Sequence, residues 1–501
     1  MVRKIFTLFL IIFICSSTII WAQVKNNNAT EQLVSPATIA FEAQKTIKLS
    51  PDGKRVAYIV RQGKKQSVVV DGKAGKKYDS IMDDSPYFSP DSKRFAYTAQ
   101  SGQKWLVVVD GQAGKTFDGI NTTPTFSPDS QHLAYGVRVG EKRFMIVDGR
   151  AEPRQYDFLG GFVLYSPDSK RLAYTAQVGQ KWVAVVDGKA TSKMYDEIPL
   201  LIFSPDSKRF AYKAQLGNKY LVALDGKEDL PYDGVMDDTP FFSPDSKRLA
   251  YGAKLGVDRF VVVNGREEKH YPGIGLYTLV FSPDGKRLAY AAHSGQKWLV
   301  VVNGIEEKPY DGIGNTLAFS PDSRRLAYTA RSGAKWRVVV DQKAEPPYDA
   351  IGPASLIFSP DSKRLSYVAI SGAKQLVVAD GKAGTLYDGI GKLSLHFSPD
   401  SRRLAYAAQL GRKQFIISDG QRGQPYNGIL SAPLFSSDGK HLAYAALSKE
   451  QWLMVIDGKA NAKYDGGFLN QDEKSLFTPP GYLQYYAFKN NRLYSVKRRL
   501  E

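Results

Sequence analysis

Apolar residues along this chain return in one short pattern. An aromatic residue closes a mixed apolar stretch and a polar turn follows. Leu-Ala-Tyr or a close variant then alternates large and small side chains, as at 133–135, 172–174, 249–251 and 288–290. Period two is the spacing of a β-strand, whose successive side chains point to opposite faces. A Gly-x-Lys turn leads into a β-rich stretch such as Trp105-Leu106-Val107-Val108-Val109. Asp110-Gly111 then supplies residues that accept positive φ in a tight hairpin. A fourth stretch ends at a Tyr-Asp pair such as Tyr78-Asp79 or Tyr310-Asp311. The pattern predicts four antiparallel strands per unit and no helix of useful length beyond residue 22.

The unit repeats along the whole chain. Ser-Pro-Asp recurs with its proline at 51, 90, 128, 167, 205, 244, 283, 321, 360 and 399, and Ser437 takes the proline's place in the next copy. Every interval is 38 or 39 residues, and a degenerate twelfth copy begins at Phe477-Thr478-Pro479-Pro480-Gly481. Four short strands in about 40 residues, repeated many times, fit a propeller blade better than a solenoid coil. The expected fold is therefore all-β, a β-propeller of about twelve four-stranded blades. Rings of four to eight blades are the common ones, which would divide the chain into two six-bladed rings. An unbroken spacing without a central linker favours a single closed ring instead. So do near-copies that ignore any midpoint, such as Ile81-Met82-Asp83-Asp84 and Val235-Met236-Asp237-Asp238.

These blades resemble those of the bacterial TolB type, which are similar to WD repeats. FSPDSKRFAYTAQ at residues 88–100 and its relatives carry the resemblance, over about 48–497. The departures fall in turns: Ser437 for Pro, Pro480 for Asp, Gln342 for Gly, and Pro272 or Asn427 for the Asp after Tyr. The resemblance implies protein–protein contacts at a cell envelope and no particular chemistry.

The ends divide the chain further. Arg3 and Lys4 precede an apolar run over 5–22 that ends in the small residue Ala22, the pattern of a secretory signal cleaved before Gln23. An uncleaved membrane anchor is the alternative, since 18 residues is near the lower limit for a span. Residues 23–32 read as a polar lead-in and 33–501 as the repeat array. The last unit stops after three strands, so residues 33–41 are expected to supply its fourth and remove two exposed edges.

Charge and chemistry change this picture little. Lys+Arg of 68 against Asp+Glu of 50 gives +18, and loss of Arg3 and Lys4 leaves +16. The only cysteine is Cys15, in the leader, which excludes disulfides, cysteine metal clusters and a cysteine nucleophile from the mature chain. The five histidines fall in several registers and no cofactor or metal is expected. Asp83-Asp84 and Asp237-Asp238 read as solvated loop acids. Of 29 tyrosines, 12 occupy the second-strand column from Tyr58 to Tyr486, and 10 precede the terminal turn. Both columns read as blade packing, as does the third-strand tryptophan column of Trp105, Trp182, Trp298, Trp336 and Trp452.

The clearest asymmetry is a basic pair after most Ser-Pro-Asp turns, which places many weak charges on one face. Lys170, Arg171, Arg209, Arg248, Arg287, Arg325, Arg364 and Arg403 are the candidate binding residues of that face. The functional expectation is an exported, non-catalytic propeller, periplasmic or extracellular. It would serve as a protein-binding or ligand-binding scaffold at the bacterial envelope. Its partners would be envelope proteins or an anionic polymer or surface, with no nucleic acid. The alternative is a propeller-fold hydrolase or lyase acting on an envelope or extracellular substrate.

Overall fold

The computed structural model describes residues 24–26, 29–34, 45–468, 477–478 and 481–500. The expected leader at 1–22 and residues 35–41 of the expected closing strand lie outside them. Within the described residues each repeat folds into one antiparallel sheet. Blade 1 runs Lys48–Leu49, Val56–Gln62, Lys65–Val70 and Lys73–Ala74, each strand pairing with the one before. The other blades follow the same order. The first strand is commonly split: in blade 2, Ser80–Ile81 and Tyr87–Phe88 both pair with Phe95–Ser101. In blades 4, 5 and 8 it is one strand with a register shift, at Phe158–Tyr165, Glu197–Phe203 and Gly312–Phe319. The fourth strand is shorter than the sequence pattern predicts. In most blades it spans two residues, and the terminal tyrosine makes a single bridge to the third strand, as Tyr78 does to Gln66.

The period-two alternation gives every blade two different faces. Tyr97, Leu106 and Val108 of blade 2 pack against Ala57, Ile59 and Val68 of blade 1. Ala96 and Val107, their neighbours in sequence, point the other way and receive Leu133, Tyr135, Val137 and Ile146 of blade 3. Each sheet thus presents a tyrosine face to the blade before it and an alanine face to the blade after. The second-strand tyrosine also meets the terminal tyrosine of the preceding blade edge to face, as Tyr290 meets Tyr271 at 6.4 Å and 75°, a favoured aromatic geometry. Buried side chains of this size dominate the packing energy, and truncating one to alanine costs about 3–5 kcal/mol.

Such a cluster lies at each of twelve interfaces. The last joins Tyr486, Phe488 and Leu493 of blade 12 to Val56, Tyr58 and Val69 of blade 1. The twelve blades therefore form one closed ring, not two. First strands of neighbouring blades touch one another, Val280–Phe281 against Gly312–Phe319 and Gly312–Phe319 against Ile357–Phe358, so these strands lie nearest the axis.

Two expectations need correction. In blade 12 the residue in the second-strand tyrosine column is Tyr485, which packs on Trp452 and Tyr464 of blade 11. Tyr486 points to blade 1 instead. The turn before it is one residue shorter than in blade 11, and a shift of one residue along a strand exchanges its faces. The second correction concerns the N-terminal segment. As expected an N-terminal strand completes blade 12, but it is Ala29–Leu33, four of whose five residues fall in the stretch read as a polar lead-in, and it pairs with Tyr494–Arg498. Val24–Asn26 pairs outside it. A strand on the outer side of its sheet is half solvated, so polar residues suit it: its burial alternates between partly buried and exposed positions. Glu31 accepts a hydrogen bond from the Tyr464 hydroxyl at 2.8 Å. Glu228, Glu267 and Glu306 do the same for Tyr195, Tyr232 and Tyr271. The N-terminal strand thus supplies the fourth-strand glutamate that blade 12 lacks.

Deleting residues 24–33 is expected to lower the melting temperature and to cause self-association through the uncovered edge of Arg492–Arg499. Melting and light scattering of the deletion variant check this, and an unchanged melt would refute it.

Candidate binding surfaces of the ring

The Ser-Pro-Asp turn closes on itself before it touches anything else. In blade 2 the Ser89 hydroxyl donates to Asp91 at 2.6 Å, and the Lys93 N–H donates to the same carboxylate oxygen at 3.1 Å. The Arg94 N–H donates back to Ser89 Oγ at 2.9 Å. Ser92 then sits at φ 66°, a left-handed conformation that is costly for a residue with a side chain. A contact between blades offsets that cost. The backbone N–H of Asp52 in blade 1 donates to Ser92 Oγ at 2.9 Å, and the same bond recurs in the next turn, from Asp91 to Ser130. Glycine replaces this serine at Gly53, Gly285 and Gly439, and at the last two a Cβ would lie 2.6 and 2.8 Å from side-chain atoms of Asp245 and Asp400 in the preceding blade. The turn is thus a joint as well as a cap.

The arginine that follows is the second part of the joint. Arg364 Nε donates to Asp380 Oδ2 at 2.9 Å in its own Asp-Gly hairpin. Its Nη1 donates to the carbonyls of Ser401 and Arg402 in the next blade, at 3.3 and 2.9 Å. The guanidinium lies over the Phe397 ring of that blade at 5.0 Å. Asp380 Oδ1 meanwhile accepts the Leu365 N–H at 3.0 Å. Arg171, Arg209, Arg248, Arg287, Arg325 and Arg403 each reach a carbonyl of the next blade and lie over its phenylalanine. Arg55 and Arg94 do likewise. Seven of the eight candidate binding residues are therefore half-buried clamps between blades, and only Lys170 points freely to solvent. The first residue of each basic pair is the exposed one, 83% for Lys93 and 86% for Arg402. Asn264 and Asn303 replace the hairpin aspartate in blades 6 and 7; the backbone cap survives there, at 2.9 and 2.8 Å, without an ion pair.

The opposite face carries a matching joint. Asp349, after the terminal tyrosine of blade 8, accepts the Lys335 ammonium at 2.6 Å and the Gly372 N–H of the next blade at 2.7 Å. Asp118, Asp157, Asp196, Asp233, Asp311 and Asp388 do the same with their own lysines and glycines. Lysine first and glycine second, these donors hold the aspartates below the usual carboxylate range.

With both faces committed to holding blades together, the freedom left to the repeat lies at the axis. The interval from the turn proline (or Ser437) to the terminal aromatic is 27 residues, except in blades 3 and 4, where it is 28. From that aromatic to the end of the next first strand it varies between 8 and 10 in blades 2 to 11. This segment lines the axis, and its composition changes from blade to blade. Phe162, Leu393, Tyr277 and Leu276 are exposed there, at 82, 72, 67 and 61%. Met82 and Leu430 join them. A pocket of about 340 Å³ opens between blades 10 and 11, with Lys392, Gln409, Gln414 and Leu430 in its wall. Other exposed apolar residues sit on fourth strands or the segments that follow them, such as Leu230, Ile305 and Leu386, or at the turns between second and third strands, such as Leu216, Leu255, Val257 and Leu410.

The acidic pairs Asp83-Asp84 and Asp237-Asp238 are exposed in axial segments of blades 2 and 6, a third of the way round the ring from each other. They do not converge. Lys213 is a feature that sequence reasoning missed. It is buried in blade 5, where its ammonium donates to the Val235 carbonyl at 2.8 Å and to Asp237 at 3.1 Å. The signal was present, since this column otherwise holds residues such as Ile59, Thr98, Gly136 and Ala291. The histidines are dispersed: His132 and His441 bond Asp148 and Asp457, His270 stacks on Phe260, and His293 packs on Trp298.

No family model matches this sequence, and no curated protein does. Solved structures to which the chain is similar include a eukaryotic initiation factor, at 14% identity over 75% of this chain and 96% of that one, with a TM-score of 0.33. TolB from Acinetobacter baumannii is similar at 12% identity over 58% and 77%, with a TM-score of 0.23. A TolB assigned to Agrobacterium tumefaciens is similar at 14% over 47% and 94%, with a TM-score of 0.22.

Two expectations follow from the joints. Arg325→Ala should lower stability by about 1–2 kcal/mol, because two carbonyls of blade 9 and Asp341 lose a charged donor at a half-exposed site. Asp341→Asn should stay within about 0.5 kcal/mol of wild type, as Asn264 and Asn303 fill that role elsewhere. Urea midpoints of the two variants check the contrast, and equal losses would refute it. The second expectation concerns pH. The depressed aspartates contribute stability that is present above their ordinary value of 3.8 and lost as pH falls below it. Burial raises Tyr251, Tyr290 and Tyr328, whose contribution is present below 10.0 and lost as pH rises beyond it. The melting temperature should hold from about pH 4 to pH 10 and fall on both sides. A steady decline between pH 7 and pH 4 would contradict this.

Proposed function

We propose that this chain is an exported, non-catalytic propeller that acts as a binding scaffold at the cell envelope and takes its protein partner on the axial end of the ring. The observation that carries the reading is the placement of variation. Both faces spend their polar residues on joints between blades, whereas the axial segments differ in length and expose Phe162, Tyr277, Leu393 and their neighbours. Exposed apolar side chains mark interaction surfaces, and these stand at separate places around the axis, on blades 4, 7 and 10. Axial segments that differ in sequence between most blades give several separate contacts around one axis, as a specific protein interface needs. Export rests on the charged start and apolar run of residues 1–22. The outward lysines beside the arginine joints leave one face mildly basic, which supports weak attraction to an anionic envelope surface.

The test substitutes Phe162, Tyr277 and Leu393 together by serine. The variant should keep the wild-type melting temperature, since these side chains are exposed, and should lose partners that immobilised wild-type protein retains from envelope extract. Retention of the same set by both proteins would refute the axial surface.

A further inference from the structure

Two joints lack the clamp arginine, with His132 and His441 in its place, and the first of them opens a cleft. At the interface of blades 3 and 4, His132 stands where the clamp arginine stands elsewhere. Its Nδ1 pairs with Asp148 Oδ2 at 2.7 Å, but the imidazole is too short to cross to the next blade. Among the described residues no side chain donates to the carbonyls of Ser169 and Lys170, the counterparts of Ser401 and Arg402. No cation lies over the ring of Tyr165, the counterpart of Phe397, among the described residues. The Tyr165 hydroxyl, found only at this interface, is buried and has no hydrogen-bond partner. A cleft of about 740 Å³ opens at this place, with Asp148, Glu152 and Asp187 in its wall beside Arg150, Lys170 and Arg171, within the size range of ligand sites. Blade 3 is also one residue longer here, at Pro153 and after.

The same chain shows what this seat holds when filled. At other interfaces the group enclosed by a hairpin carboxylate, two carbonyls of the next turn and an aromatic face is a guanidinium. We propose that the cleft between blades 3 and 4 binds a guanidinium group from outside the chain, either an arginine side chain of a peptide or free arginine. The planar fork would donate to the carbonyls of Ser169 and Lys170 and would lie over the Tyr165 ring. Asp148 and Glu152 supply the opposite charge. An ammonium lacks the fork and fits the two carbonyls less well. This site lies away from the axial surface and stands or falls independently of it.

The test uses the full chain and its His132→Arg variant, in which the protein's own arginine fills the seat. Such a variant restores a contact already made at other interfaces, so it should melt no lower than wild type. Calorimetric titration with N-acetyl-arginine amide, its lysine counterpart and free L-arginine supplies the readout. Wild type should bind the arginine amide saturably, in about the millimolar range, and the lysine amide at least about tenfold more weakly. His132→Arg should lose the arginine amide by about tenfold or more. Free L-arginine binding as well as the amide would identify the metabolite as sufficient; weaker binding would identify a peptide side chain. Equal binding by wild type and His132→Arg, or no saturable binding by wild type, would overturn the proposal.

Discussion

One planar cation shared between two sheets sets the geometry of most of this ring. An arginine fork must reach the hairpin carboxylate of its own blade and, at the same time, carbonyls of the next turn. It does so only if the Ser-Pro-Asp turn, the Asp-Gly hairpin and the following turn keep fixed relative positions. That requirement explains why the 27 residues from turn to terminal aromatic hardly vary, while the axial segment is free to do so. It also explains why serine accepts positive φ in these turns: its hydroxyl is the acceptor that joins two blades. Surface ion pairs are weak singly. Here the pair is one arm of a group that also makes backbone hydrogen bonds and an aromatic contact.

A ring of twelve turns each blade by about 30° relative to the next, less than in rings of four to eight. Nearly parallel sheets meet over their full width, so every interface needs the same complementarity from axis to edge. The tyrosine and alanine faces meet this need with one pattern: a large side chain on one sheet opposes a small one on the other. The uniform interface accounts for the closeness of the repeats to one another. Edge-to-face tyrosine pairs and the glutamates that accept their hydroxyls finish the outer part of the interface.

Much of the fold was legible because it is written many times. Strand order, blade number and the packing role of the tyrosine columns all follow from periodicity. What could not be read was which side chains reach across a sheet boundary. Lys170 and Arg171 are adjacent and both basic, yet one is solvated and the other is a clamp. Alternation along the strand separates them, and the sequence does not show the carbonyls that await the second. The degenerate last unit misled for a related reason: Leu483-Gln484-Tyr485 matches Leu442-Ala443-Tyr444, but the adjacent Tyr486 obscures the register. The N-terminal strand was hidden by its polarity, which suits a half-solvated place on the outer side of its sheet. Lys213 and His132 show a further source of information, the single departure within a column of equivalents.

The closing strand has a consequence for biosynthesis. Ala29–Leu33 leaves the ribosome before every blade, and its partner Arg492–Arg499 leaves after eleven of them. Glu31 and Tyr464 are separated by 433 residues. Until the last blade is made, the nascent chain is an open arc whose blades dock one upon another by local contacts. One end of this arc shows the tyrosine face of blade 1 and the other the alanine face of the newest blade. These ends are complementary, so two unfinished arcs on neighbouring ribosomes fit head to tail as well as each fits itself. Such heterologous pairing closes only where the blades sum to a full turn, and otherwise propagates into chains. Intramolecular closure wins through its high local concentration, because loop entropy grows only slowly with length. Crowded translation, rather than heat, is the condition under which this ring is most exposed to misassembly.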